Sequence, residues 1–333
     1  MSLSSAVFLL PAALLLDRLC GEPPARVHPV CALGALAARL ESRLRRGPNG
    51  LRLRLAGLLA CLALVLCAAL CAALPVLLAG ALAGDAAAWL VCVVAVSLCL
   101  APRCLDEHAR RVALPLEAGD LTGARRAVSM LVGRDPQQLD AHGVARACVE
   151  SVGENLTDGV LGTLFWAATG LLLAGLPGAA ALAACHRAAN VLDALWGKLD
   201  ETYRCFGTAA ARLDDLLNWC PARLALPCIA LAAALLPGLD GRGAWRTGWR
   251  YRRAHESPNS AWSEAAFAGA LGLRLGGPAW YGPLYRRHPW LGDGSPLATA
   301  RHIRQAVRLM WASLLVFAAL ASLLVFAALA ASV

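Results

Sequence analysis

Long stretches without a charged residue alternate along this chain with segments that are dense in charge. Five uncharged stretches occur, at residues 55–84, 86–101, 159–185, 224–239 and 309–333. Four polar segments precede or separate them, at residues 17–54, 102–158, 186–223 and 240–308. A helix needs roughly 20 apolar residues to cross the hydrocarbon core of a bilayer. The pattern therefore predicts an all-α, polytopic integral membrane protein with polar helical segments, folded as a single membrane-embedded domain over residues 1–333.

The length of each stretch decides which ones are expected to cross the membrane. We predict spans at about 55–79, 84–101, 159–183 and 309–331. The apolar stretches at 3–16 and 224–239 are shorter, and whether they cross is open. The stretch at 159–185 contains three glycines and a proline between residues 170 and 178. A helical hairpin that returns to its starting side is therefore an alternative to a single crossing.

Composition supports the membrane interpretation, and charge predicts the orientation. Hydrophobic residues make up 59 % of the chain and charged residues 16 %, whereas soluble domains carry about 25 % charged residues. Segment 17–54 has 8 Arg against 3 acids, and segment 240–308 has 11 Arg against 4. Basic flanks stay in the cytoplasm, so both segments are predicted to be cytoplasmic in the cell (inner) membrane. Segment 186–223 has 5 basic and 5 acidic residues, and its side is open.

The second polar segment ends in a group of acids and an amide. Glu150 and Glu154 are four residues apart, so on a helix they project to one side, with Asn155 and Asp158 close by. Such like charges at the head of an apolar stretch are unfavourable unless a cation neutralises them. Because Mg²⁺ prefers oxygen ligands, we predict a Mg²⁺ or nucleotide-phosphate site here. A solvated helix end is the alternative.

The third polar segment carries a second group of acids and amides. Asp214 and Asn218 share a helix face through their i,i+4 spacing. Adjacent Asp214 and Asp215 tolerate burial only with a metal or arginines nearby. Further candidate binding residues in this segment are Asn190, Asp193, Arg212 and Arg223.

Three further candidates are more isolated. His28 directly precedes a proline and is either a hydrogen-bonding loop residue or a base, while Ser257 and Asn259 flank Pro258 in the fourth polar segment. Arg and Trp residues recur at three- to four-residue spacing between positions 242 and 253. That spacing suits an amphipathic helix at a lipid interface better than a nucleic-acid surface. The expected partner is the lipid bilayer, and no nucleic acid is expected.

Together these segments resemble one known family. The motifs are Asp17-x3-Gly21-Glu22-Pro23, His28-Pro29-Val30, Gly133-Arg134-Asp135, Glu150-Ser151-x2-Glu154-Asn155-x2-Asp158-Gly159, Asn190-x2-Asp193-x3-Gly197, Phe206-Gly207, Arg212-x-Asp214-Asp215-x2-Asn218-x2-Pro221-Ala222-Arg223, Ser257-Pro258-Asn259 and Leu275-Gly276-Gly277. Their number and order resemble the CobD/CbiB family, the membrane-bound adenosylcobinamide-phosphate synthases of cobalamin biosynthesis. The chain departs from the family pattern at Thr163, where a proline is usual, and at Lys198-Leu199.

The resemblance implies an amide ligase. The reaction would join (R)-1-amino-2-propanol or its O-phosphate to a propionate carboxylate of adenosylcobyric acid, with ATP as co-substrate and Mg²⁺ as cofactor. The expected catalytic residues are Glu150, Glu154, Asp214 and His28. Those expected to bind substrate or phosphate are Arg134, Asn155, Asn190, Arg212, Asn218, Arg223, Ser257 and Asn259. The expected metal ligands are Asp158, Asp193 and Asp215.

Two matters remain open at this point. A non-catalytic membrane sensor or assembly component of the same family is the alternative to an enzyme. The resemblance also leaves open a homo-oligomer and complexes with other enzymes of cobalamin biosynthesis. A transporter is disfavoured, because transporters place ionisable residues inside their spans near the midplane, and the predicted spans have almost none.

Overall fold

A computed structural model describes residues 6–47, 50–198, 203–281 and 284–331. The described residues form thirteen α-helices: α1 (Leu9–Cys20), α2 (Pro29–Leu44), α3 (Leu51–Ala83), α4 (Asp85–Ser97), α5 (Pro102–Glu117), α6 (Leu121–Val128), α7 (Ala141–Asn155), α8 (Gly162–Trp196), α9 (Thr208–Leu217), α10 (Trp219–Leu235), α11 (Gly241–Tyr251), α12 (Ser260–Leu271) and α13 (Ala300–Ala330). A 3₁₀ turn (Pro136–Gln138) precedes α7, and a π-helix (Leu156–Leu161) joins α7 to α8. The chain is 76 % helical, which confirms the predicted all-α membrane fold.

Two pairs of short antiparallel strands are the only sheet structure among the described residues. Strand β1 (Leu275–Gly276) pairs with β4 (Trp290–Leu291), and β2 (Ala279–Tyr281) pairs with β3 (Leu284–Arg286). The Leu275-Gly276-Gly277 motif after α12 thus contributes the first of these strands. The pattern of uncharged stretches gave no indication of these strands.

The predicted spans fall within helices that are long and apolar enough to cross a bilayer. Four stretches qualify: Leu51–Ala83, Asp85–Glu117, Ala141–Trp196 and Ala300–Ala330. A fifth qualifies if Thr208–Leu217 and Trp219–Leu235 together form one span. The predicted apolar helix at 3–16 corresponds to α1, although residues 3–5 lie outside the described part, and the one at 224–239 corresponds to α10. The chain is thus a multi-pass membrane protein.

Residues group into two compact units that alternate along the chain. Unit 1 comprises Met1–Ala101, Gly162–Asn218 and Ala318–Val333, and unit 2 comprises Pro102–Leu161 and Trp219–Phe317. The sequence predicted a single membrane-embedded domain, and that remains a prediction. The functional residues below are described unit by unit.

A helical hairpin and a buried aromatic pair organise unit 1. Helix α3 ends at Ala83, its C-cap Gly84 has a positive φ of 81° that suits glycine, and α4 begins at Asp85. Inside the unit, the rings of Trp196 and Phe206 meet edge to face with centroids 5.0 Å apart. The Trp196 indole donates to Glu41 Oε2 at 3.1 Å, and the Tyr203 hydroxyl donates to Oε1 at 2.8 Å. These bonds fix α2 to the segment that follows α8.

Helix α8 reverses direction near its middle. Ala174 and Gly175 are not helical, and Gly175 has φ +64°. The hydroxyl of Thr163 lies 3.0 Å from His186 Nδ1, whereas a continuous helix would hold these residues about 34 Å apart. Each arm between them rises about 16 Å, roughly half of the 30 Å hydrocarbon core. The stretch therefore folds back on itself, as the hairpin alternative has it. That it returns to its starting side of the membrane, and does not cross once at 159–183, remains a prediction.

The hairpin predicts which side of the membrane the third polar segment occupies. Cys220 is exposed and follows the hairpin, and Cys31 is exposed in the arginine-rich segment 17–54. The α3–α4 pair returns the chain to the side of Cys31, and the hairpin then keeps it there. We expect single-cysteine variants retaining Cys220 or Cys31 to react with a membrane-impermeant maleimide from the same face of oriented vesicles. A cysteine-free variant is the control, and labelling of the two thiols from opposite faces would contradict the hairpin.

Unit 2 is built around α12, which is buried along nearly its whole length. Nearby, α11 carries exposed Trp245 and Trp249 with stacked rings, 6.3 Å between centroids, while its small residues Gly243 and Gly248 face inward. The predicted amphipathic helix is therefore present. Its location at a lipid interface remains a prediction.

Candidate functional site

The first candidate site lies in unit 1 and is centred on Asp214. We call it the aspartate cluster: Thr163, His186, Asn190, Asp193, Asp214, Asp215 and Asn218. Asn218 Nδ2 donates to Asp214 Oδ2 at 3.1 Å, which confirms that the two side chains share a helix face.

This hydrogen bond determines which atoms donate and which accept in a buried chain of hydrogen bonds, which we call the relay. Because a carboxylate only accepts, the Asn218 amide must point its nitrogen at Asp214 and its oxygen at His186. His186 Nε2 lies 2.9 Å from that oxygen and must carry the proton. The unprotonated Nδ1 then accepts from the hydroxyl of Thr163. The relay thus runs from a hydroxyl through an imidazole and an amide to a carboxylate.

A close backbone approach makes room for the relay. A Cβ atom at Gly162 would collide with His186 Nε2 and would lie 2.8 Å from Asn218 Oδ1. Only glycine leaves space for both side chains at this point.

Asp214 itself is buried and only partly satisfied. Its side chain is 7 % exposed, and Oδ1 has no hydrogen-bond partner among the described residues. Asp193 and Asp215 are close enough to act on its charge, and Asn190 is within hydrogen-bonding reach. Arg212 contacts Asp215 only at 3.6 Å and is 80 % exposed. Arg187 Nη1 donates to Asn190 Oδ1 at 3.2 Å. The cluster thus combines several carboxylate and amide groups with one arginine at its edge.

His28 and Arg187 also belong to unit 1. The Nδ1 atom of His28 accepts from the amide of Val30 at 3.1 Å and caps α2, so the histidine has the hydrogen-bonding role that the sequence offered as an alternative to a base. Its Nε2 is buried without a partner in the described residues. Burial lowers the pKa of His28, with Glu22 opposing and Arg187 adding to the effect. His28 is therefore neutral at physiological pH.

The second candidate site lies in unit 2 and is centred on buried carboxylates. We call it the glutamate cluster: Arg134, Glu150, Glu154, Ser260 and Glu264. Arg134 forms a close ion pair with Glu150 Oε1, and the amide of Gly276 donates to Oε2 at 2.8 Å. Both side chains are almost buried, with 10 % and 13 % exposed. Arg134 is the cation that the paired glutamates required.

Glu264 is the most deeply buried acid of this cluster. It is 2 % exposed, and Glu154, whose carboxylate is hydrogen-bonded by Ser260, acts on it electrostatically. Burial raises the pKa of Glu264 well above its ordinary value; Glu154 and Asp158 raise it further, whereas Arg134 lowers it. Glu264 therefore holds its proton to a higher pH than an exposed glutamate does.

Arg223 has different partners from those that the sequence indicated. The sequence grouped it with Arg212 beside the aspartates, but its Nη1 donates to Asn259 Oδ1 at 2.7 Å. The guanidinium also stacks on Trp219 and Trp262, at 4.6 and 5.1 Å from the ring centroids. Arg223 lies one turn into α10 and belongs to unit 2. Its position along that helix therefore determines its partners.

The remaining predicted residues have local contacts. Asn155 is exposed and donates to the carbonyl of Ser151 at 2.9 Å, within its own helix. Ser257 Oγ accepts from the amide of Asn259 at 3.2 Å. Lys198 is exposed, with its ammonium 5.5 Å from the ring of Tyr203. Asp158 belongs to unit 2, whereas the other two proposed metal ligands belong to unit 1.

Four residues of these clusters were not among the site residues predicted from the sequence: Thr163, His186, Ser260 and Glu264. Glu264 is the only charged residue of α12, and a single acid in an otherwise uncharged helix is a usable signal of a buried functional carboxyl. His186 directly follows the uncharged stretch at 159–185 and is fully buried. Its partners Thr163 and Asn218 are too distant in sequence to be found by spacing.

Among the residues that the structure describes, no three His, Cys, Asp or Glu side chains are arranged as a metal site. Mg²⁺ commonly uses only one or two carboxylates together with water and substrate phosphates. Asp193 and Asp215, which act electrostatically on the buried Asp214 and lie near its amide neighbours, fit that kind of incomplete ligand set.

The fold and these clusters define a class: a helical, multi-pass membrane protein with buried carboxylate, amide and guanidinium groups. A family profile described as CobD/Cbib protein matches residues 10–310, and the chain belongs to this family. Three relatives are each named Cobalamin biosynthesis protein CobD. The Klebsiella pneumoniae protein is 41 % identical over 90 % of this chain and 91 % of its own. The Brucella suis protein is 40 % identical over 92 % of this chain and 93 % of its own. The Stutzerimonas stutzeri protein is 44 % identical over 91 % of this chain and 92 % of its own. No solved structure matches the chain.

Proposed function

We propose that this protein acts in cobalamin biosynthesis as an ATP-dependent amide ligase of the cell membrane, with its active face in the cytoplasm. It would join (R)-1-amino-2-propanol or its O-phosphate to a propionate carboxylate of adenosylcobyric acid. The names of the relatives support the pathway. The observation that carries the chemistry is Asp214, a buried carboxylate with one oxygen left without a partner.

Amide formation from a carboxylate needs activation of its oxygen. In our proposal the γ-phosphoryl group of ATP is transferred to the propionate, giving an acyl phosphate and ADP. The amine then attacks the acyl carbon, phosphate leaves, and the ammonium proton passes to a base on the protein. Bound Mg²⁺ would shield the phosphate charges. Asp193 and Asp215 are the proposed residues for holding it, since they supply the oxygen ligands that it prefers.

The proton acceptor must be a carboxylate that is free to accept. An alkylamine is protonated at neutral pH, as a lysine side chain is, so the base has to remove a proton before attack. Glu150 is engaged on both oxygens, which disfavours it. Asp214 and Glu154 are therefore our preferred candidates. The arginines Arg134 and Arg223 are proposed to bind carboxylate or phosphate groups, because the guanidinium fork matches both.

The proposal predicts large activity losses from isosteric variants. We expect Asp214→Asn and Glu154→Gln each to reduce amide formation about 100-fold or more, the usual contribution of a positioned base. The assay uses the full-length protein in liposomes with ATP, Mg²⁺, adenosylcobyric acid and aminopropanol O-phosphate, with product measured by mass spectrometry. Asp293→Asn is the matched control, because Asp293 is 62 % exposed and pairs with Arg250 at the surface.

Two outcomes distinguish a failure of the proposed function from a failure of the residue assignment. Absence of amide product with the wild-type protein and either amine would reject the ligase and favour the sensor alternative. Wild-type activity in both variants, with a working wild-type control, would reject only the assignment of the base. Protein level in the membrane is measured in every case, so that a folding defect is not mistaken for a chemical one.

A further inference from the structure

A basic, partly apolar cavity in unit 2 shares no lining residue with either cluster. It has a volume of about 430 Å³ and is lined by α5 and α13. Three guanidinium groups border it, from Arg110, Arg304 and Arg308. The remaining lining residues are aliphatic: Ala113, Leu114, Ile303 and Val307. No carboxylate lines the cavity, so it suits a ligand with an anionic group and an apolar portion.

The positive charge of the cavity is only partly neutralised. Arg110 is bonded to Asp106, with 2.5 Å between Nε and Oδ1, and Arg304 pairs closely with Glu117. Within the part of the chain that the structure describes, no carboxylate lies within 4.0 Å of the Arg308 guanidinium. The three arginines face two acids, and an excess positive charge remains.

The position of the cavity along α13 sets its depth in the membrane. Arg308 is the last charged residue before the uncharged stretch 309–333, so the cavity lies where this span leaves the hydrocarbon core. Just beyond it, the Trp311 indole donates to Asp106 Oδ2 at 3.0 Å. Tryptophan with a polar partner is typical of the membrane–water interface. Lipid phosphate groups occupy the same depth.

We propose that this cavity binds an anionic phospholipid. The headgroup phosphate lies against Arg304 and Arg308, and an acyl chain covers Leu114 and Val307. Basic pockets between membrane helices are a recurrent form of anionic lipid recognition. A soluble phosphate would not use the aliphatic wall, and Leu114 in particular is 63 % exposed despite its apolar side chain.

The test compares two charge-matched double variants of the full-length protein. Arg304→Gln/Arg308→Gln removes two cavity charges; Arg110 is spared because its loss would leave Asp106 buried and unpaired. The control Arg39→Gln/Arg43→Gln removes two exposed arginines with the same i,i+4 spacing from α2. Each protein is extracted from nanodiscs containing phosphatidylcholine and phosphatidylglycerol, and the retained lipid is measured by native mass spectrometry.

We expect the wild type and the control to retain phosphatidylglycerol in preference to phosphatidylcholine. Each interfacial arginine contributes about a fivefold preference for anionic lipid, so the cavity variant should lose about 30-fold. Equal losses in the two double variants would attribute binding to general surface charge and reject the site. If the cavity variant does not fold, Arg308→Gln alone should give the fivefold loss, because it leaves no buried acid behind.

A further variant separates a lipid from a free anion. Leu114→Asn leaves the charges intact and should lower phosphatidylglycerol retention, because the acyl chain loses an apolar contact. Millimolar inorganic phosphate should not displace the lipid. Unchanged retention in Leu114→Asn together with displacement by phosphate would make the cavity a simple anion site and overturn the proposal.

Discussion

Replacement of Glu264 by glutamine is expected to abolish amide formation while leaving the protein at least as stable as the wild type. The carboxyl is buried and faces the Glu154 side of the cluster, so its ionisation is opposed by desolvation and by like charge. Glutamine keeps the shape but cannot exchange a proton with Glu154. We expect a loss of about 100-fold or more in product formation, measured with the liposome assay described above.

The stability of the same variant should depend less on pH. Because the pKa of Glu264 is raised in the folded protein, the folded state binds more protons than the unfolded state above the ordinary glutamate pKa of about 4.3. Its contribution to stability is therefore present at acid pH and is lost as pH rises toward the raised pKa. We expect the unfolding temperature of Glu264→Gln to exceed that of the wild type increasingly as pH rises.

The surface variant Glu107→Gln is the control for both measurements, since Glu107 is 46 % exposed. Near-wild-type activity in Glu264→Gln would make Glu264 a packing residue only. A variant that is less stable than the wild type at every pH would instead indicate an ionised Glu264 held by Arg134. Activity and stability together distinguish these cases, which activity alone would not.

Replacement of Arg134 by glutamine should produce the largest loss of stability in unit 2. It leaves Glu150 nearly buried without its cation, and removing one partner of a buried ion pair costs about 3–5 kcal/mol. The measurement is chemical or thermal unfolding of the purified protein in detergent. Arg111→Gln is the control, because that arginine is 64 % exposed and its ion pair spans 3.8 Å, which predicts an effect of less than about 1 kcal/mol.

A second substitution should restore part of this stability. In Arg134→Gln/Glu150→Gln the unpaired charge at position 150 is gone, so the double variant should be more stable than Arg134→Gln alone. If the two single effects simply add, Glu150 is not the group that Arg134 neutralises. Glu154 and Glu264 would then be its important partners, as their electrostatic coupling to Arg134 already allows.

The membrane fold was predictable because uncharged stretches are a direct consequence of lipid as a solvent. Whether residues 159–185 form one straight helix or a hairpin was not predictable, since glycine and proline occur both in straight membrane helices and at turns. The decisive facts are conformational: the positive φ of Gly175 and the contact of Thr163 with His186. Neither follows from residue identity alone.

For the sites, the sequence predicted local pairs and failed on long-range partners. The i,i+4 rule brought Asp214 to Asn218 and placed Glu150 beside Glu154. It could not indicate that the amide of Gly276, 126 residues away, binds Glu150. Nor could the rule indicate that Arg223 binds Asn259 and not the aspartates that precede it by a few residues. Contacts within a helical turn can be inferred from spacing, whereas contacts between helices depend on the packing of the whole unit.

The reversal at Gly175 also determines what must be moved across the bilayer during synthesis. In the topology that we predict, a hairpin that dips and returns would leave Asp193, Asp214 and the balanced charges around them in the cytoplasm, where the ribosome delivers the chain. Passing such a segment through hydrocarbon would strip water from each of its charges. In that topology, with neither α1 nor α10 crossing, only the short connection at Gly84 between α3 and α4 would be exported before the last span, and it carries a single acid, Asp85. Biogenesis of the acid-rich segment is thereby reduced to folding on one side of the membrane.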